Sequence, residues 1–359
     1  MKLGLGLYRH MLTKDNYRFA RQAGCTHIVA HMVDYFATGH YFSGGDISEQ
    51  EWGVTQNQGR LWSLEELKGL RSEINEEGLE LAAIENLDPS HWYDVLLDGP
   101  RKHEQLEDLK TIIRRVGDAG IPIIGYNFSI AGVWGHTVGE YARGRAKAVS
   151  FSREHGPKET PVQQGHVWNM VYDPDAPSGA IGSITSEQLW NRLRRFLQAV
   201  MPAAEESGVV LAAHPDDPPM PNLRESPRLV YQPHLYQKLL DAVPSRCNAL
   251  EFCIGTVAEM TDGSVYDAID QYSAQGKLAY VHFRNVQGKV PEYREVFVDE
   301  GDVDMIRVLT ILKKNRFDGV IIPDHTPQMT CAAPWHAGMA YALGWMRAAM
   351  RVTETMDEY

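Results

Sequence analysis

Strand-like and helix-like segments alternate along almost the whole chain, and this alternation limits the fold more than any single motif does. Short apolar runs stand at Leu3–Leu7, Cys25–His31, Leu79–Glu85, Ile121–Phe128, Val209–His214, Ala249–Cys253, Leu278–Phe283 and Gly319–Pro323. Runs of this length bounded by turn formers suit strands buried on both faces, as in a parallel sheet. Between them lie periodic, helix-like stretches that halt at glycines: Lys14–Ala23 before Gly24, Ser63–Glu77 before Gly78, Pro100–Ala119 before Gly120 and Thr185–Ser207 before Gly208. Ser63 and Glu66 have capping-box spacing at the start of the second helix. Tyr231–Ala242, Val265–Gln275, Val303–Asn315 and Trp335–Met350 complete the helical set. Eight strand–helix units in strict alternation predict closure into a (β/α)8 TIM barrel rather than an open doubly wound sheet.

Such a barrel accommodates 359 residues once insertions are counted, and no linker or repeat divides 1–359, so a single domain is expected. Two connections are too long for simple barrel loops. Residues 32–62 are rich in Gly, aromatic and polar side chains, and residues 129–184 carry Gly, Pro and the basic run Arg143, Arg145, Lys147, Arg153 and Lys158. Both follow strands, so both are expected on the catalytic face as lids.

The formal charge of −12 argues against nucleic acid or an anionic membrane as partner, while leaving room for a local basic patch that holds an anionic substrate. No apolar run approaches the roughly 20 residues that span a bilayer. The start, MKLGLGLYRHML, lacks the apolar core and cleavage site of an export signal and reads as a first strand. GLGLYR has neither the third glycine nor the following helix of a dinucleotide fingerprint. Cys25, Cys247, Cys253 and Cys331 form no CxxC pair, and reduced thiols in a cytoplasm are the economical reading.

The residues at the strand ends carry the chemistry. Strand two ends at His31, strand three at Glu85 and strand four at Tyr126, Asn127 and Phe128. His214, Cys253, His282 and Asp324 close the last four, with Arg284 and Asn285 just past His282 and His325 just past Asp324. Singly, each has an ordinary structural reading, a hydrogen-bonded histidine or a small buried cysteine. Four of them at matched positions along one arc of the mouth predict a transition-metal site. His31 and Glu85 either line the pocket or pack, and His27, His91, His103, His155, His166 and His234 are assigned no role. Four protein ligands leave room for substrate only in five- or six-coordinate geometry, which favours manganese or iron(II) over closed tetrahedral zinc.

HPDDPPMP at His214–Pro221, Phe252 and Cys253 followed by Gly255, VHFRNV at Val281–Val286, GDVDM at Gly301–Met305 and PDH at Pro323–His325 resemble the D-mannonate dehydratases of the hexuronate pathway. IENLDPSHW and AGIPIIGYNF extend the resemblance into the N-terminal half. It implies a xylose-isomerase-like barrel and a homo-oligomer, a dimer. It also implies manganese, replaceable by iron(II), on His214, Cys253, His282 and Asp324, and the loss of water from D-mannonate to give 2-keto-3-deoxy-D-gluconate.

A metal holding the substrate's carboxylate and a hydroxyl would stabilise the enediolate of such an elimination. His325 is the expected acid/base, with orientation of the metal site as its alternative role. Arg284 and Asn285 are expected on the substrate's carboxylate or hydroxyls, or Arg284 pairs with Glu85 across the barrel. Asn127, Glu85 and His31 complete the expected substrate-binding set. Tyr341 is the expected second catalytic residue, or His336 takes its place. The family's His before GDVDM is absent from Glu295–Val298, Gly135–Thr137 replaces an expected arginine, and Thr326 follows PDH where the family has glycine. A metal-dependent sugar isomerase or epimerase is the alternative activity, because the same enediolate serves it.

Overall fold

The computed structural model describes residues 1–33, 60–168 and 170–355. Eight strands close into a barrel: β1 (Lys2–Leu7), β2 (His27–His31), β3 (Glu80–Glu85), β4 (Ile123–Tyr126), β5 (Val210–Ala213), β6 (Asn248–Cys253), β7 (Leu278–His282) and β8 (Val320–Ile322). Each pairs in parallel with its sequence neighbours, and β1 pairs with β8 to complete the ring. The helices that return the chain are α1 (Lys14–Gln22), α2 (Leu64–Glu76), α3 (Lys102–Asp118), α4 (Ser186–Ser207), α5 (Leu235–Ala242), α6 (Val265–Ala274), α7 (Met305–Lys314) and α8 (Pro334–Thr355).

Local chemistry sets the helix starts. Ser63 Oγ accepts from the Glu66 N–H at 3.1 Å, and Thr185 with Gln188 forms a complete reciprocal capping box. Gly208, at φ 66°, ends α4 in the left-handed region that a β-carbon would disfavour. The main core lies between barrel and helices, where Leu5, Ile28, Ile84, Leu211 and Leu250 face Leu67, Ile113, Leu193 and Leu309 in one buried cluster. Each such aliphatic side chain contributes about 1.5–3 kcal/mol on burial.

A second, smaller cluster contains Val29, Ala83, Ala212, Tyr280, Val320 and Ile322. These side chains point to the barrel axis, and the two-residue period of a strand carries the same face upward. His31 follows Val29, Glu85 follows Ala83, His214 follows Ala212, His282 follows Tyr280 and Asp324 follows Ile322, each by two residues.

The expectation of a lid over 32–62 falls largely on residues 34–59, outside the described residues. In the other long connection, strands His136–Ala142 and Ala146–Ser152 form an antiparallel pair. That pair continues into Glu292–Val296 and Asn285–Lys289, giving a four-stranded sheet. The hairpin at 285–296 escaped the sequence reading, because its strands find half their partners more than 130 residues away (Tyr293 opposite Phe151). Three arginines of the basic run have acidic partners. Arg143 pairs with Asp299 at 3.0 Å, Arg145 with Glu140 at 2.7 Å and Arg153 with Glu159 at 3.7 Å. Among the described residues no helix is long and apolar enough to cross a membrane, and all four cysteines are free thiols.

Candidate metal centre and active site

His214, Cys253 and His282 converge at the C-terminal ends of β5, β6 and β7, with one ligand atom of each within 4.8 Å of the others. Neighbouring groups decide which imidazole nitrogens face the cluster. His214 Nδ1 lies 2.7 Å from the Pro215 carbonyl; a carbonyl only accepts, so Nδ1 carries the proton and Nε2 is left for the site. His282 Nε2 lies between two carboxylates, Glu85 Oε2 at 3.3 Å and Glu251 Oε1 at 3.1 Å. Its Nδ1 is buried and makes no hydrogen bond, although Asp324 Oδ2 stands 3.4 Å away.

Burial alone would push the Cys253 thiol up, yet the Arg284 charge and the neighbouring His214 and His282 bring it down to about 5. Burial opposes charge on His214 too, and there Cys253 and Glu251 prevail, raising it to about 9. A thiolate, two imidazoles with defined free nitrogens and a carboxylate suit a divalent transition-metal ion. The orphaned Nδ1 of His282 is the observation that fits it best. A second group, Glu85, Glu251 and His282, also brings its ligand atoms within 4.8 Å.

Asp324 turns out of β8 at φ 59°, a left-handed conformation that Asp tolerates better than most residues. The turn sets its carboxylate against His282 and places His325 beside it. His325 Nδ1 lies 3.0 Å from Glu295 Oε1, its Nε2 3.3 Å from Tyr8 Oη and 3.6 Å from Asp324 Oδ1. Burial disfavours the imidazolium, but Asp324 and Glu295 outweigh it and raise His325 to about 9. His31 joins this side through ring contact with Tyr8, centroids 4.7 Å apart, and through Glu85 Oε1 at 3.4 Å.

Several expected substrate contacts take other partners. Arg284 does not pair with Glu85. It is buried, its Nε donates to Asp324 Oδ2 at 3.0 Å, and its Nη1 donates to Glu259 at 2.8 Å with Glu295 at 3.3 Å. Its Nη2 donates to Asp217 and to Thr256 Oγ1. With every N–H facing a protein acceptor, the guanidinium braces the Asp324 carboxylate and has no donor to offer a substrate. Asn285 spends its amide on the Val298 and Val303 carbonyls and on the Val286 and Val303 N–H groups, tying the start of the hairpin to the segment that follows it. Asn127 donates to the Pro215 carbonyl at 3.0 Å and accepts from Trp168, which fixes the turn after His214.

Tyr341 contacts Arg143 at 3.3 Å and stacks edgewise on Phe297. His336 bonds to Asn16 and packs on Phe19 at the outer face of α1. Neither shows a contact with the ligand set among the described residues. The residues that sequence reasoning passed over are Glu251, Glu295, Asp217 and Tyr293. Glu251 had a readable signal, because it precedes Cys253 by two on the same strand and so faces the same interior.

The family model described as D-mannonate dehydratase (UxuA) matches residues 18–354. The chain belongs to the D-mannonate dehydratase family. The mannonate dehydratase of Streptococcus pneumoniae (strain 70585) is 30% identical over 277 residues, covering 74% of this chain and 75% of that one. The crystal structure of mannonate dehydratase from Streptococcus suis serotype 2 superposes with a TM-score of 0.79 at 22% identity, over 100% of this chain and 95% of that chain. A xylose isomerase domain protein from Planctomyces limnophilus shares the fold at a TM-score of 0.56 and 12% identity, over 99% and 98% of the two chains. The D-mannonate dehydratase family therefore appears here on a xylose-isomerase-like TIM barrel, with a His/Cys/Glu group able to hold a metal in its mouth.

Proposed function

We propose that this chain dehydrates D-mannonate to 2-keto-3-deoxy-D-gluconate, with His214, Cys253, His282 and Asp324 holding manganese, or iron(II) in its place, and His325 moving the proton. The observation that carries the reading is the buried Nδ1 of His282, which makes no hydrogen bond and stands 3.4 Å from Asp324 Oδ2, on a residue grouped with His214 and Cys253 in a chain of this family. Bound there, a divalent cation would act as a Lewis acid toward the substrate's carboxylate and a hydroxyl.

The chain's own side chains supply the rest. The proton beside the carboxylate must leave C2 while the C3 hydroxyl departs as water, and the resulting enol becomes the 2-keto acid. Nε2 of His325 would carry this proton traffic, since Glu295 occupies Nδ1. Arg284 holds Asp324 in its ligating orientation, and Tyr8 and His31 border the same side of the mouth. A homodimer in the cytoplasm belongs to the same proposal, on the family relationship and the four free thiols.

The test is product analysis. Purified protein loaded with manganese and given D-mannonate should yield a 2-keto-3-deoxy acid. An isomer of unchanged mass would move the assignment to a sugar-acid isomerase or epimerase.

A further inference from the structure

Beneath the ligands lies a layer that the metal reading does not use. TIM-barrel interiors are ordinarily filled by branched aliphatic side chains, yet here Glu251 and Glu85 meet inside the ring, each at most 5% exposed. The room is made at Gly125, where a β-carbon would collide with Glu251 Oε2 and Tyr280 Oη. A buried carboxylate costs several kcal/mol and commonly gives way to a hydrophobic residue with a gain in stability. Neither Glu251 oxygen has a well-formed hydrogen bond among the described residues, so its burial is offset chiefly by charge on neighbouring imidazoles.

His282 Nε2 stands 3.1 Å from Glu251 Oε1. Glu85 approaches the same nitrogen from β3 at 3.3 Å, while its other oxygen faces His31 Nε2 at 3.4 Å. An ionised carboxylate only accepts, so with Glu85 ionised beside Glu251 the shared nitrogen is where a proton is best held. The other nitrogen, Nδ1, then presents its lone pair on the side where Asp324 stands 3.4 Å away, and it is the atom left without a hydrogen bond. Ligating histidines are commonly held through their far nitrogen in this way, which fixes the tautomer and raises the basicity of the ligand.

We propose that Glu251, with Glu85, is a positioning residue for the metal centre, fixing His282 in the Nε2-protonated form and thereby setting cation affinity. The inference rests on the reading that His214, Cys253 and His282 hold a cation. It separates two quantities that a merely structural residue would move together. Removing Glu251 should weaken metal binding while leaving the metal-free fold as stable as before, or more so.

The test uses the full chain and manganese alone. In chelator competition, Glu251→Leu should bind Mn2+ about 10–100-fold more weakly than wild type, with the metal-free Tm unchanged or higher. Glu251→Gln, which keeps an acceptor oxygen, should retain more affinity than Glu251→Leu. Wild-type affinity in Glu251→Leu, or the reverse order of the two variants, overturns the proposal. Cys253→Ser, run alongside, isolates the underlying reading: if it too keeps full affinity, the cation site itself has been misplaced. Should Glu251→Leu not fold, nitrogen NMR of the wild-type protein loaded with diamagnetic zinc decides the matter. The His282 resonance, identified by its loss in His282→Asn, must report a proton on Nε2, and a proton on Nδ1 rejects the cradle.

Discussion

Glu295 Oε1 lies 3.0 Å from His325 Nδ1, although the two come from separate elements, the hairpin after β7 and the turn after β8. The same oxygen stands 3.3 Å from Arg284 Nη1, whose guanidinium also holds Asp324. One carboxylate thus orients the imidazole and touches the brace of the neighbouring ligand. The hairpin itself is pinned by Asn285 at its start. The excursion sheet therefore adds a contact on Nδ1 to those that Tyr8 and Asp324 make with Nε2 of His325 from the barrel's own strand ends.

His325→Asn should keep its metal and lose turnover. An amide cannot exchange a proton near neutral pH, and general acid/base groups contribute about 100–10,000-fold. Elemental analysis and kcat on D-mannonate, measured on one preparation, provide the check. Full turnover with intact metal would remove His325 from the chemistry. Glu295→Ala should lower kcat by about 10-fold with less effect on KM, because it loosens the orientation of His325 and leaves its chemistry intact.

Cys253→Ser should lose metal and activity together. Serine keeps the shape but not the readily formed thiolate, which Arg284 and the two histidines stabilise at about 5 in this protein. Manganese content per chain, read after desalting, should fall well below that of wild type. Retention of a full equivalent would show that the sulfur is not a ligand.

Much of this centre was legible in the sequence, for a physical reason: a parallel strand is a short apolar run, and its last inward residue follows from counting. Counting that way puts His214, Cys253, His282 and Asp324 at the mouth, and the structure brings the ligand atoms of the first three within 4.8 Å of one another. The partners of Arg284 were not legible, because they arrive from four places distant in sequence: Asp217, Glu259, Glu295 and Asp324. A guanidinium near a sugar-acid site suggests a substrate clamp until the structure shows each N–H already facing an acceptor. Asn285 and Asn127 were misread alike, since a short amide looks the same in sequence whether it holds a ligand or a turn. Tyr341 and His336 lie on α8, where helical phase puts one beside Phe297 and the other against α1.

Asp217→Asn should destabilise the protein by about 3 kcal/mol at neutral pH, the order expected when one partner of a buried ion pair is removed. Burial would raise this carboxyl, but Arg284 and hydrogen bonds from His136 and Tyr293 hold it well below the usual range. With a folded-state pKa below the unfolded value, its stabilisation is fully present above the unfolded pKa of about 3.9 and fades as pH falls further toward the folded value. Urea unfolding of wild type and variant should differ by a constant amount from pH 5 to 8, and the curves should converge below about pH 4. A difference that grows with acidity would contradict the assignment.

Gly125→Ala tests the barrel interior from the opposite side, by adding an atom where the other variants remove one. The new methyl would meet Glu251 and Tyr280 in a space with no slack, since both are fully buried. Overpacking of this kind costs about 1–3 kcal/mol, so the barrel should still form, with a lowered unfolding midpoint. The displaced Glu251 carboxylate should release its hold on His282 Nε2, and manganese affinity should fall with it. Calorimetry of the metal-free protein and chelator competition measure the two effects separately. If stability drops by the expected amount while affinity stays at the wild-type value, the position of Glu251 is immaterial to the ligand above it.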